Sequence, residues 1–79
     1  MSELSARRHL LEHFHIGDSV RFTYRARHAA YHGKQGTVRR IIRSRAVVEV
    51  DVPGLALYDA YPENLINLLQ ARAEGRQTP

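Results

Sequence analysis

The chain contains no cysteine, and Lys34 is its only lysine. Without cysteine it has neither a disulfide nor a thiolate metal site to reinforce its core, and nothing indicates an oxidising compartment. No apolar run approaches the roughly 18 residues that span a membrane, and the N-terminus lacks the basic-then-apolar layout of a secretion signal. We therefore expect a cytoplasmic protein without a membrane partner.

The length of 79 residues leaves no room for a second hydrophobic core. A chain of this size buries only about 60% of its unfolded surface, and a cleft that encloses a substrate needs more scaffold than one minimal core provides. The serines and carboxylates are scattered, so no nucleophile, base and orienting group can be assembled. The sequence favours a small non-catalytic binding module without a cofactor.

Positive charge is concentrated in one part of the chain. Residues 19–48 contain eight cations and no acid, whereas the other residues contain four cations and all eight acids. Such segregation is typical of a surface that meets a polyanion, usually nucleic acid and less often an acidic protein or anionic lipid. Arginine, which supplies most of the cations, fits phosphate and stacks on bases. The alternative is that these arginines only solvate one face of a sheet.

The N-terminal residues predict a short helix and then a strand. Residues 3–14 carry apolar side chains at the spacing of an amphipathic helix, which Gly17 ends. Val20, Phe22 and Tyr24 then alternate with polar residues, as in a half-buried strand whose apolar face joins the core. The apolar helix residues are Leu4, Leu10, Leu11 and Phe14, of which the last two are expected to cover the core.

A loop and a second strand follow. Residues 26–35 have no period and predict a long loop. The second strand begins near Gly36, where we expect a bend or a positive φ that a side chain would obstruct. In this strand Val38 and Ile42 share one face while Ile41 lies on the other, which indicates a bulge near Arg40.

The remaining residues predict further short strands. Residues 46–52 alternate as a third strand that stops at the turn dipeptide 53–54, and residues 55–61 return as a fourth. The end is ambiguous between a turn with a closing strand over 66–69, which we favour, and a helix through 65–72. Several short strands favour a closed or nearly closed barrel, because closure removes exposed sheet edges.

Three short motifs and the segment 58–65 carry a family resemblance. The motifs are Gly17-Asp18-Ser19-Val20-Arg21-Phe22, Gly33-Lys34-Gln35-Gly36-Thr37-Val38 and Ala46-Val47-Val48-Glu49-Val50. Together they resemble the KOW and Tudor-type SH3-like small barrels, in which a GDxV strand is followed by a loop, a GKxGxV strand and a valine-rich third strand. The segment 58–65 is similar to the final strand and helical turn of that fold.

The resemblance implies a mainly β fold: an SH3-like small barrel of about five strands with a short N-terminal helix. Residues 16–69 would form the barrel, residues 1–15 a helix packed on it, and residues 70–79 a C-terminal tail. Such barrels serve ribosomal proteins, transcription elongation factors, enzyme subunits and peptide readers. A weaker resemblance, to the barrel of nitrile hydratase β subunits, implies at most an accessory role; it rests on Tyr31, Gly33, Gly36 and Val38.

The cationic loop and second strand predict a nucleic-acid-binding surface that grips phosphates of DNA or RNA. Among the tyrosines, Tyr31 is the best stacking candidate because it lies among cations in the loop. The main alternative is a small adaptor or regulator whose cationic face binds an acidic protein; an exposed aromatic groove favours the adaptor, and a continuous arginine stripe favours nucleic acid. The predicted binding residues are Arg25, Arg27, His28, Tyr31, Lys34, Arg39, Arg43 and Arg45.

Two histidine pairs have the spacing of metal ligands on a helix. His9 and His13 form one pair, and His28 and His32 form the other, although the second lies in the predicted loop. No carboxylate or cysteine completes either set. We therefore expect no metal site.

Overall fold

A computed structural model describes residues 3–69, which form a helix followed by one antiparallel sheet. The strands lie in the order β4-β3-β2-β1-β5. The predicted fold class, mainly β with five strands and a short N-terminal helix, is confirmed. The elements are α1 (Glu3–Leu10), 3₁₀ turns at Leu11–His13, Ala29–Tyr31 and Pro62–Asn64, and the strands β1 (Ser19–Phe22), β2 (Gln35–Ile42), β3 (Val47–Asp51), β4 (Tyr58–Ala60) and β5 (Leu65–Asn67).

The N-terminal helix is shorter than predicted. After Leu10 the chain tightens into a 3₁₀ turn, and Phe14 is already extended. Leu11 and Phe14 lie in the core as expected, but Leu4 and Leu10 are exposed. The tighter turn changes the angle between successive side chains, so the apolar face of a continuous helix is not preserved. None of the helices within residues 3–69 is long and apolar enough to cross a bilayer.

The first strand ends earlier than its alternating pattern predicted. Val20 and Phe22 are fully buried, whereas Tyr24 is 80% exposed, so its assignment to the core is wrong. Beyond Phe22 the Thr23 N–H donates to the Asn64 carbonyl, and the Ala26 N–H donates back to the Thr23 carbonyl. The first bond continues the pairing of β1 with the β5 side by one residue, and the second closes a turn that carries the chain away from the sheet, so Tyr24 does not face inward.

The predicted bulge in β2 is present. Val38 is opposite Val50 and Arg40 is opposite Glu49, so Arg39 is the extra residue on the bulged strand. Val38 is buried and Ile41 packs against the core, while both intervening arginines are exposed. The bulge therefore presents two successive arginines on the outer face of the sheet, the face directed away from the core.

The later strands confirm the predicted pattern with shorter bounds. Ala46, Val48, Val50 and Val52 are buried on one side of β3 and its flanks. The fourth strand is limited to β4, and the turn-plus-strand ending is confirmed with the strand at β5, whereas residues 68–69 are helical, as in the alternative. The predicted tail, residues 70–79, and the rest of the alternative helix lie outside the described residues.

Gly36 has a different structural role from the one predicted. The described glycines with positive φ are Gly17, Gly33 and Gly54, and Gly36 is not among them. A Cβ at Gly36 would instead lie 2.7 Å from the Asp51 carbonyl oxygen and 2.7 Å from Val50 Cγ1. The close approach of β3, and not backbone conformation, is what excludes a side chain here.

Replacing Gly36 with alanine should therefore destabilise the fold by about 1–3 kcal/mol, because the clashing oxygen belongs to the paired backbone and cannot rotate away. Urea unfolding measures this difference, with Thr37→Ala on the exposed side of the same strand as the control. A Gly36→Ala variant as stable as the control would contradict the close packing.

Candidate functional site

An aromatic cluster connects the long β1–β2 loop to the sheet. The ring of Tyr31 lies 5.3 Å from that of Phe22 and 4.6 Å from that of Tyr58, measured between centroids. Phe22 also meets Tyr58 edge to face at 5.6 Å. The Tyr31 hydroxyl donates to the carbonyl oxygen of Ala56 at 2.8 Å. Tyr31, expected to stack on a base, is thus engaged in packing and is only partly exposed.

A cleft of about 600 Å³ lies beside this cluster, and we call it the aromatic cleft. Three segments enclose it: residues 26–28 of the β1–β2 loop, the β2–β3 turn with the start of β3, and β4 with the 3₁₀ turn that follows. Its volume lies within the range of about 300–1,000 Å³ that small-molecule sites occupy. The lining side chains with polar or aromatic chemistry are Arg27, His28, Arg45, Tyr58, Asp59, Tyr61 and Asn64.

Tyr61, which lines the cleft, is held in place by Arg7 of helix α1. The guanidinium carbon of Arg7 lies 3.9 Å from the centroid of the Tyr61 ring, and Arg7 Nε donates to Glu63 Oε2 at 2.8 Å. A cation over an aromatic face stabilises the pair, and the carboxylate fixes the cation. Helix α1 thereby positions a ring that remains 41% exposed. No local pattern in the sequence indicates this contact, because its partners are separated by more than fifty residues.

The positive side chains of the cleft differ in whether they form an ion pair. Arg45, in the β2–β3 turn, donates from Nη2 to Asp59 Oδ2 at 3.3 Å. Arg27 is exposed and makes no ion pair within the described residues. The His28 ring meets Tyr58 edge to face at 5.3 Å. The cleft therefore presents one free guanidinium beside a fixed aromatic wall.

The pKa of Tyr58 depends on its burial and on the charged and aromatic residues around it. Burial raises the pKa of Tyr58 above its usual value, the positive charge of Arg27 opposes that rise, and the neighbouring Tyr31 and Tyr61 add to it. A desolvated phenolate is unfavourable, whereas a nearby guanidinium favours it. Tyr58 is therefore neutral near pH 7, where its hydroxyl is both a donor and an acceptor towards the cleft.

A second basic surface lies on the outer face of the sheet, and we call it the outer arginine row: Arg21 on β1 with Arg39 and Arg40 on β2. All three are exposed. Asp51, Glu49 and Asp59 occupy the outer side of β3 and β4, and Glu49 lies opposite both Arg40 and Asp59 in the register. This line of acids separates the outer arginine row from the aromatic cleft.

The structure distributes the predicted binding residues over several places. Arg27, His28 and Arg45 line the aromatic cleft, and Tyr31 packs behind its wall. Arg39 belongs to the outer arginine row, and Arg43 lies in the β2–β3 turn. Arg25 and Lys34 are exposed in and at the end of the β1–β2 loop. Of the other cleft residues, Asp59 was not predicted, and Tyr58 and Tyr61 were placed behind Tyr31 as stacking candidates, although the alternation of Tyr58 with Ala60 was a signal that the first tyrosine faces inward.

Other polar clusters are limited. Within residues 3–69 no group of three metal-ligating side chains is assembled. His32 contacts the Ala26 carbonyl through Nε2, and His15 lies 3.7 Å from Asp18. Comparisons of the chain with family models, curated proteins and solved structures find no match. Function must therefore be inferred from the side chains of this chain.

Titration of Tyr58 tests the geometry of the aromatic cleft. We expect one tyrosine, absent in Tyr58→Phe, to ionise above the usual value near pH 10, and to ionise at still higher pH in Arg27→Ala. The raised pKa contributes stability that is present below about pH 10 and is lost as the pH rises through the folded-state value. Ultraviolet absorbance follows the phenolate. An unchanged titration in Arg27→Ala would show that Arg27 does not lie beside Tyr58.

Proposed function

We propose that this protein is a non-catalytic module that binds nucleic acid through exposed arginines. The supporting observation is that seven of the eight cations in residues 19–48 are exposed and make no ion pair within the described residues. Only Arg45 of that group is paired. Free cations of this density suit a polyanion, because each phosphate contact releases a condensed counterion.

Arg7, which is paired, contrasts with the unpaired cations and supports the proposal that those cations bind phosphates. Arg7 lies outside the cationic segment and is engaged with both Glu63 and Tyr61. The fold thus provides acids for an arginine with a structural role and leaves the others facing solvent. We also propose a cytoplasmic location, since the lack of cysteine favours a reducing compartment.

The acids on β3 and β4 limit where phosphates bind. Asp51 and Glu49 lie directly across from β2, on the same outer face as Arg40. A phosphate backbone would be repelled on that side and attracted over β1 and β2. The basic surface is therefore two patches separated by acids, and not the continuous arginine stripe that would favour nucleic acid over the adaptor.

The aromatic cleft favours a second candidate function, that of an adaptor for an acidic protein segment. Tyr61 and His28 are exposed beside Arg27, which together offer apolar contact and positive charge. Aromatic residues and arginine are enriched at protein interfaces. The cleft offers one unpaired cation among the described residues, since Arg45 is held by Asp59, whereas most of the unpaired cations lie outside it. That distribution suits the repeated phosphates of a nucleic acid, which remains the leading proposal.

Salt dependence of binding tests the proposed function. If the protein neutralises about four phosphates, the logarithm of the binding constant should fall against the logarithm of salt with a slope of about −3.6 on duplex DNA and −2.8 on a single strand. Arg39→Ala and Arg40→Ala, both outside the cleft, should each reduce the magnitude of the slope by about one quarter, the share of one phosphate contact in four. Fluorescence anisotropy measures both quantities.

Arg8→Ala is the matched control, because Arg8 is exposed and unpaired among the described residues but lies outside the cationic segment. It should leave the slope unchanged. Absence of salt-sensitive binding to any DNA or RNA at low ionic strength would refute the proposal. Stoichiometric binding of an acidic protein in the same buffer would then support the adaptor.

A further inference from the structure

The aromatic cleft differs from the outer arginine row in what it can contact. The outer arginine row lies on a sheet face and offers charge alone. The cleft has a volume of about 600 Å³ and is lined by the rings of Tyr58 and Tyr61. Both rings are fixed, since Tyr58 packs on Phe22 and Tyr31, and Arg7 covers one face of Tyr61. A flat apolar ligand can therefore pack against rings that are already fixed in place.

The polar groups of the cleft are arranged around these rings. Arg27 is a free cation, while Asp59 uses Oδ2 for Arg45 and has no described partner for Oδ1. The side-chain amide of Asn64 also lines the cleft without a described hydrogen bond. A cation, a carboxylate oxygen and an amide thus surround the aromatic wall. These groups can hold a ligand that carries one anionic group together with N–H donors on a flat ring.

We infer that the aromatic cleft binds one unpaired nucleotide of a single-stranded nucleic acid, an inference that rests on the proposed function. The base stacks on the Tyr61 ring, its edge meets Asp59 or Asn64, and an adjoining phosphate lies against Arg27. Stacking on aromatic side chains is tolerant of sequence, because every base has a π face. Contacts to the base edge add only a modest preference.

The same geometry disfavours a duplex in the cleft. A paired base is stacked on its neighbours and reaches a pocket only if it is flipped out at a cost of a few kcal/mol. An unpaired base enters without that cost. An acidic peptide is disfavoured as well, since it would bring several carboxylates to a cleft in which Arg27 is the one unpaired arginine among the lining residues. Binding to a duplex is left to the exposed cations outside the cleft.

Anisotropy titrations with labelled oligothymidine of about 12 nucleotides and with a duplex of the same length test the inference. We expect Tyr61→Ala to weaken binding of the single strand about tenfold and to change duplex binding less than twofold. Tyr61→Phe, which keeps the ring, should retain the wild-type affinity. Tyr24→Ala removes a more exposed tyrosine outside the cleft and should have no effect.

Photo-crosslinking of wild-type protein to an iodouridine-substituted strand provides a readout that needs no variant. The crosslink is expected in the peptide that contains Tyr58 and Tyr61. A crosslink at Tyr24, or equal losses on single strand and duplex in Tyr61→Ala, would overturn the inference while the proposed function stands. Tight binding of a glutamate-rich peptide that Tyr61→Ala abolishes would overturn it in favour of a protein partner. Loss of all salt-sensitive nucleic-acid binding in the wild type would instead refute the proposed function itself.

Discussion

The packing of Phe22, Tyr31 and Tyr58 is the interaction on which the rest of the structure depends. Phe22 is a core residue of β1, Tyr31 belongs to the β1–β2 loop, and Tyr58 lies on β4. Their rings meet within 5.6 Å of one another. Each aromatic pair adds about 0.5–1.5 kcal/mol beyond the area that it buries. The cluster therefore fixes a long loop to both β1 and β4.

This constraint has a consequence for the aromatic cleft. Because Tyr31 anchors the loop, Arg27 and His28 are placed opposite β4 and the β2–β3 turn. On the other side, Arg7 connects α1 to Tyr61 and Glu63. The helix and the loop thus hold the two walls of one site. Both the helix and the loop therefore contribute to the site, since each makes contacts that position a cleft residue.

The distribution of paired and free charge determines what the surface can bind. Arg7 and Arg45 are held by Glu63 and Asp59; the second pair lines the cleft, and Arg7 of the first pair packs on Tyr61. Exposed pairs of this kind contribute at most about 1 kcal/mol to stability, so their positioning role matters more. The unpaired arginines contribute little to the fold and are available to phosphates. The paired arginines therefore position other residues of the fold, and the unpaired arginines are available for binding.

The local pattern of the sequence predicted the strands, the bulge and the ending, because alternation and turn residues act over a few positions. The alternation of Val48 and Val50 and the break after Val38 are features of this kind. Tyr24 was misplaced because a turn closed by the Ala26 N–H on the Thr23 carbonyl ends the strand, although the alternation of apolar and polar residues runs on into that turn. The role of Gly36 was not predictable because its neighbour is the β3 backbone, which no local pattern encodes.

The candidate site was only partly predictable for the same reason. A cluster of like charges is visible in a sequence, so Arg27, His28 and Arg45 were identified. Their separation from Arg39 was not, since it depends on strand order and on the acids of β3 and β4. Nothing in the sequence distinguished Tyr61 from the other tyrosines, because its contact with Arg7 is long-range. Long-range pairing, and not composition, decides which cations share a surface.

An NMR titration of the labelled protein with oligothymidine tests the central claim most directly, namely that nucleic acid enters the aromatic cleft. We expect the largest amide shifts at residues 26–28, at Arg45 and at residues 58–61, with smaller shifts at the outer arginine row. Shifts confined to Arg21, Arg39 and Arg40, or no shifts at low salt, would contradict the account.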